Sequence, residues 1–177
     1  MSPTPAATPT TKSRILDAQS IHQKIVRIAF EILEDNYDEK EIVIAGICRN
    51  DEGYALAERI AAELRRIGSL NIHLTSINLD KKHPTSKPIE MGVTPELVDG
   101  KVVVIVDDVA NTGRTLLYAV KPLLDMAPKK IRVAVLVDRR HKAYPVSADY
   151  VGTSLSTTLH EHIDVNLSGD QPGVFLS

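Results

Sequence analysis

The chain has 177 residues, 43% of them hydrophobic, with 21 Lys and Arg against 23 Asp and Glu. That length and apolar share fit one globular domain with a sizeable core and exclude a disordered chain. The near balance of charge offers no bulk electrostatic footprint for nucleic acid, and the single cysteine, Cys48, excludes an internal disulfide and suits a reducing compartment.

No apolar run approaches the roughly 20 residues of a membrane span, and the opening MSPTPAATPTTKS lacks the apolar centre of a signal peptide. Residues 1–13 read as a disordered Pro/Thr/Ala tail and residues 14–177 as one domain. A soluble, cytoplasmic protein is expected.

Ile15 to Glu34 has helical periodicity, with Ile21, Ile25, Ile28, Ala29, Ile32 and Leu33 on one stripe and Asp17 as N-cap. His22 and Arg27 fall on or beside its polar face, where solvation is expected. Glu41 to Ile47 (EIVIAGI) reads as a short buried strand that runs into the turn Cys48-Arg49-Asn50-Asp51-Glu52-Gly53. Tyr54 to Ile67 reads as an amphipathic helix with Leu56, Ile60, Ala61 and Leu64 inward, stopped by Gly68. Asn71 to Asp80 alternates as a third strand. Residues 81–100 carry charges, three prolines and no clear period, as expected of a functional lid or a disordered loop.

Val102 to Val106 is an unbroken β-branched run, the signature of a strand buried on both faces of a parallel sheet. It ends in Asp107 and Asp108. Leu116 to Met126 reads as a helix that Pro122 should kink or shorten, Lys130 to Val137 as another buried strand, and Ala148 to Val151 and Ile163 to Leu167 as short strand candidates. Strands alternating with helices predict an α/β fold: a central, mostly parallel sheet of four or five strands, Val102 to Val106 in its middle, with helices on both faces.

Within KVVVIVDDVANTGRT (residues 101–115) two acids at a central strand end precede a small-residue turn and a helical pattern. Open α/β sheets bind ligands at that place, and free amides at a helix start favour a phosphate. Acids beside a phosphate cradle suit vicinal hydroxyls or magnesium next to that phosphate, as in ribose 5-phosphate.

This stretch resembles the phosphoribosyl-diphosphate-binding signature of type I phosphoribosyltransferases, whose fold is Rossmann-like. ILDAQSIHQKIVRIAFEILEDN near the start and AVLVDRRHKAYPVSADYVGTSLSTT near the end resemble the bifunctional pyrimidine operon regulator and uracil phosphoribosyltransferase family. The resemblance implies transfer of ribose 5-phosphate from phosphoribosyl diphosphate to a nucleobase, uracil favoured, with magnesium as cofactor. It assigns Asp107 and Asp108 to catalysis, holding the ribose hydroxyls and the metal, directly or through water. It assigns Ala110, Asn111, Thr112, Gly113, Arg114 and Thr115 to the 5′-phosphate. Arg49, Asn50, Gly53, Lys81 and Lys82 fall to pyrophosphate, with Arg49 also catalytic, and Val137, Asp138, Arg139 and Val151 frame the base.

Asn111 stands where purine-type relatives carry an acid, and an amide cannot take a proton from a purine at neutral pH. Two departures mark the other end of the site. Asp51-Glu52 intrudes where relatives have an Arg-Gly turn, and Leu79-Asp80-Lys81 replaces an Arg-Asp-Asp-like strand end. A second reading is therefore kept, that of a non-catalytic sensor binding a pyrimidine nucleotide and controlling an RNA or protein partner. Messenger RNA binding and a homodimer rest on the resemblance alone, and no membrane partner is expected.

Overall fold

The computed structural model describes residues 12–48, 51–158, 161–169 and 171–177. Most of the expected tail, residues 1–11, lies outside the described residues, as do Arg49 and Asn50. In chain order the elements are β1 (Ser13–Asp17), α1 (Ala18–Asp35), β2 (Glu41–Ile47), α2 (Glu52–Ile67), β3 (Asn71–Asn78), β4 (Glu90–Met91), α3 (Pro95–Val98), β5 (Val102–Ala110), α4 (Arg114–Val120), a 3-10 turn (Lys121–Asp125), β6 (Lys130–Asp138), β7 (Tyr150–Ser154), β8 (Ile163–Asn166) and β9 (Gly173–Leu176).

The main sheet has the order β4-β3-β2-β5-β6-β7. It is parallel except for the two-residue edge strand β4. Six strands stand where four or five were expected. A second, three-stranded antiparallel sheet, β1-β9-β8, was not expected at all.

The unbroken apolar run of β5 is explained by burial on both faces. Val102, Val104 and Val106 pack with Ile42 and Ile44 against Ile21, Ile25, Leu56 and Ile60 of α1 and α2. Val103 and Ile105 pack with Val43 and Ala45 against Leu116, Ala119 and Leu123 on the opposite face. Pro122 sits in the 3-10 turn that ends α4, which is thereby shortened as expected.

Asp17 caps α1, its carboxylate accepting from the Ser20 amide at 2.8 Å. The helix starts later than its periodicity predicts, because Ile15 and Leu16 belong to β1, where Leu16 pairs with Val174 of β9. The expected tail likewise ends sooner, since Ser13 pairs with Leu176. Arg27 is not simply solvated: its guanidinium donates to the carbonyls of Val151 at 2.6 Å and Gly152 at 2.7 Å, tying α1 to β7. α2 begins at Glu52, two residues before the expected Tyr54, because Asp51 caps it by accepting from the Glu52 amide at 2.8 Å.

β5 does not end at Val106. Its ladder with β6 continues through Asp107 to the pair Ala110 and Asp138, whereas its ladder with β2 stops at Gly46 and Val106. Beyond Val106 the two strands part, β2 leading into α2 on one face and β5 into α4 on the other. That divergence is a topological switch point, where open α/β sheets form their ligand crevice. Among the described residues, no helix is long and apolar enough to cross a membrane.

Gly46 allows α2 to lie close on β2, since a Cβ there would come within 2.7 Å of the Tyr54 Cα. Backbone against backbone leaves nothing flexible to move aside. Gly46→Val is expected to cost about 1–3 kcal/mol of folding stability, read as a lower urea midpoint with an unchanged m-value.

Candidate active site

The crevice opened beyond Val106 holds the acid pair. Asp107 is buried, its side chain only 2% exposed, and Asp108 is half-buried beside it. The Lys81 ammonium lies 3.0 Å from Asp107 Oδ1, 3.5 Å from Asp108 Oδ1 and 2.8 Å from Asp51 Oδ2. Burial and the neighbouring Asp108 push the Asp107 carboxyl well above the usual carboxylate range, with Lys81 pulling the other way. Burial disfavours the charge on Lys81, but Asp107, Asp108 and Asp51 more than compensate and hold the ammonium charged far beyond neutrality. Gly53, assigned to pyrophosphate by resemblance, lies in the first turn of α2, where a Cβ would meet Asp107 Oδ1 at 2.8 Å. Its missing side chain lets the start of α2 abut the acid pair.

The backbone after Ala110 doubles back as a tight turn. Gly113 has φ 83°, in the left-handed region, and a Cβ there would press on the Val146 carbonyl oxygen at 3.1 Å. The Thr112 carbonyl accepts from the Ala143 and Tyr144 amides at 3.0 and 3.1 Å, and the Thr112 hydroxyl accepts from the Arg114 amide at 3.3 Å. Asp107 and the segment Val109 to Leu116 thus enclose a small cavity of about 50 Å³, which takes in the whole expected phosphate stretch, Ala110 to Thr115. It lies against a larger cavity of about 370 Å³, lined among others by Asp107, Asp108, Asn111, Thr115 and Lys81.

The larger cavity has a roof that the sequence reading did not identify. His162, Ile163, Asp164 and Val165 line it. Ile163 to Leu167 was read as a strand candidate, but nothing in its pattern marked a site. α2 holds this roof through Leu167, whose amide donates to Glu52 Oε2 at 2.9 Å and whose carbonyl accepts from Arg59. Glu52 is therefore engaged with the roof and Asp51 with Lys81.

The expected base residues divide. Arg139 lines the central cavity, yet its guanidinium is spent as a strut, donating to Thr157 Oγ1 at 2.7 Å and to the carbonyls of Thr158 at 3.1 Å and Glu161 at 3.0 Å. Asp138 accepts from Lys142 at 2.7 Å. Val137 is fully buried in the core, and Val151 packs beside the second cluster while its carbonyl accepts from Arg27. Of the two lysines assigned to pyrophosphate, Lys81 reaches the acids and Lys82 stays exposed, its amide donating to Asp80 Oδ1 at 2.9 Å.

The phosphoribosyl transferase domain family matches residues 11–169. The chain belongs to that family. It is 39% identical over 166 residues to the "Bifunctional protein PyrR" of Thermoanaerobacter sp. (strain X514), covering 88% of this chain and 90% of that protein. It is 37% identical over 166 residues to the protein of the same name from Bacillus pumilus (strain SAFR-032), covering 89% and 91%. Among solved structures the fold resembles the hypoxanthine phosphoribosyltransferase of Trypanosoma cruzi, with a TM-score of 0.73 at 17% identity over 93% of this chain and 95% of that one. It also resembles a hypoxanthine-guanine phosphoribosyltransferase from Bacillus anthracis, with a TM-score of 0.66 at 21% identity over 82% and 84%. The protein is a phosphoribosyltransferase of type I fold.

The donor set of this phosphoribosyltransferase fits magnesium. Asp107 and Asp108 already face a cation, the Lys81 ammonium. Among the described residues, no group of three or more His, Cys, Asp or Glu side chains would hold an ion alone, so substrate oxygens would have to complete the shell.

Asp107→Asn should weaken ribose 5-phosphate binding about tenfold by losing a charge-assisted acceptor. It should also raise the Tm of metal-free protein at neutral pH. A carboxyl with a folded-state pKa above its unfolded value costs stability wherever both states are ionised, and regains it as pH falls through the raised value. Calorimetry in chelator should show the Tm gap between variant and wild type narrowing as the pH falls through the raised titration range of Asp107. A gap independent of pH would contradict the raised pKa of Asp107.

Proposed function

We propose that this phosphoribosyltransferase uses uracil as acceptor, joining it to ribose 5-phosphate and releasing pyrophosphate. The observation that carries the reading is Asn111, which lines the central cavity, the small phosphate cavity and a third cavity shared with Arg139, Arg140, His141 and Lys142. Its amide can orient a ligand but cannot take a proton. Purine-type members carry an acid at this place by resemblance, and Asn111 removes the base such an acceptor would use. The relatives named bifunctional PyrR support a pyrimidine in place of a purine.

In this reading the backbone from Ala110 to Thr115 binds the 5′-phosphate through amides and the Thr112 and Thr115 hydroxyls. Asp107 and Asp108 accept the ribose hydroxyls and orient the anomeric carbon toward the base side of the crevice. Lys81, with Arg49 and Asn50, which precede α2 in the sequence, stabilises pyrophosphate as it departs. His162 to Val165 exclude water from the cationic, oxocarbenium-like sugar. Magnesium, held by Asp107 and Asp108 together with substrate oxygens, would supply neutralisation of the leaving group. The protein is taken to work in the cytoplasm as a homodimer, as its single cysteine and its family resemblance suggest.

A second reading is favoured by one feature, the acids Asp51 and Glu52, which line the cavity at its pyrophosphate end. A nucleotide monophosphate needs no pyrophosphate site, so a sensor of UMP would tolerate them. Pyrophosphate release from phosphoribosyl diphosphate across a panel of bases separates the two. Release is expected with uracil and not with hypoxanthine or guanine. UMP binding without release from any base would favour the sensor, and release with a purine alone would overturn the acceptor.

A further inference from the structure

Lys81 occupies an unusual position for a residue of the long connection between β3 and β5. Asp80 fixes the local turn, its carboxylate accepting from the amides of Lys82 and His83, both at 2.9 Å, and Lys81 is thereby aimed inward. Its ammonium bonds Asp107 Oδ1 and Asp108 Oδ1 from the side on which α2 starts, with Asp51 closing the third side. Those are the carboxylate oxygens on which the ribose hydroxyls and a divalent ion depend. The side chain is 30% exposed, so it has a way out toward the cavity.

Two cations cannot share one pair of carboxylates without strong repulsion in a partly buried site. Lys81 and a divalent ion would therefore have to take turns at the pair.

We propose that Lys81 is a built-in cation that competes with magnesium for Asp107 and Asp108, so that the metal enters only together with a sugar phosphate whose anionic groups draw Lys81 away. Metal alone gains little at this site, because it displaces one counter-ion to become another. Metal with phosphoribosyl diphosphate gains both oxygens and a new anionic partner for the released ammonium. The exchange makes metal and substrate binding interdependent. It also places Lys81 beside the pyrophosphate. This inference rests on the assignment of the acid pair to ribose and metal, and not on the identity of the base.

Titration of metal-free, full-length protein with magnesium chloride alone tests it by calorimetry. Lys81→Met is expected to bind magnesium at least about tenfold more tightly than the wild type. Lys81→Gln should behave alike, and adding phosphoribosyl diphosphate should narrow the gap. Equal affinity in wild type and variants, whether weak or tight, would overturn the proposal. Circular dichroism checks that the variants fold. If neither does, reductive methylation of the wild type decides, followed at Lys81 by mass spectrometry. Lys81 should react slowly in the protein alone and several-fold faster with magnesium plus phosphoribosyl diphosphate, and an unchanged rate would overturn the proposal. A wild type that passes these tests yet releases pyrophosphate with no base would sink the transferase reading and leave this one standing.

Discussion

A carboxylate almost cut off from water must be given a partner or lose its charge, and the centre of this molecule is built around two such groups. Asp107 and Asp108 are next to each other in sequence at the point where β2 and β5 part. Their mutual repulsion and the burial of Asp107 would drive a proton onto the pair if nothing offset it. The fold brings in Lys81 from the connection after β3 as a counter-charge, and Asp51 at the N-cap of α2 holds that ammonium on its other side, so that three segments meet at one charge cluster. Gly53 makes the meeting sterically feasible.

The rest of the architecture serves to hold that point rigid. The parallel ladder fixes Asp107 opposite Val135, and the two hydrophobic clusters clamp β5 from both faces. Interiors packed in this way transmit strain and do not absorb it, so the tight turn at Gly113 inherits its position from the strand before it. The acid pair and the turn that follows Ala110 therefore take their positions from one strand and one register. Any ligand that uses both has to match that spacing.

Much of this was legible in the sequence because the signals were local. A β-branched run, a polar cap at Asp17 and the stripe Ile21, Ile25, Ile28 and Ile32 each depend on residues a few positions apart, and each appears as read. The failures have a common cause. β1 was absorbed into the helix because Ile15 and Leu16 extend the apolar pattern of α1, and only pairing with residues at the far end of the chain makes them a strand. The reach of β5 past the acids depends on β6 continuing beside it. The tethering of Arg139 was not legible either, since its four hydrogen bonds to Thr157, Thr158 and Glu161 come from a segment about twenty residues on. Long-range pairing leaves no periodicity to read.

The roof of the cavity has a different ancestry from its floor. Floor and walls come from the middle of the chain, whereas the roof sheet joins β1 to β9 and β8, with Ser13 directly across from Leu176. Short strands with few neighbours open more readily than a clamped central sheet. A pull on β1 or β9 would therefore act on the cover of the active site and not on its scaffold, and would be felt as leakiness to water before it was felt as loss of fold.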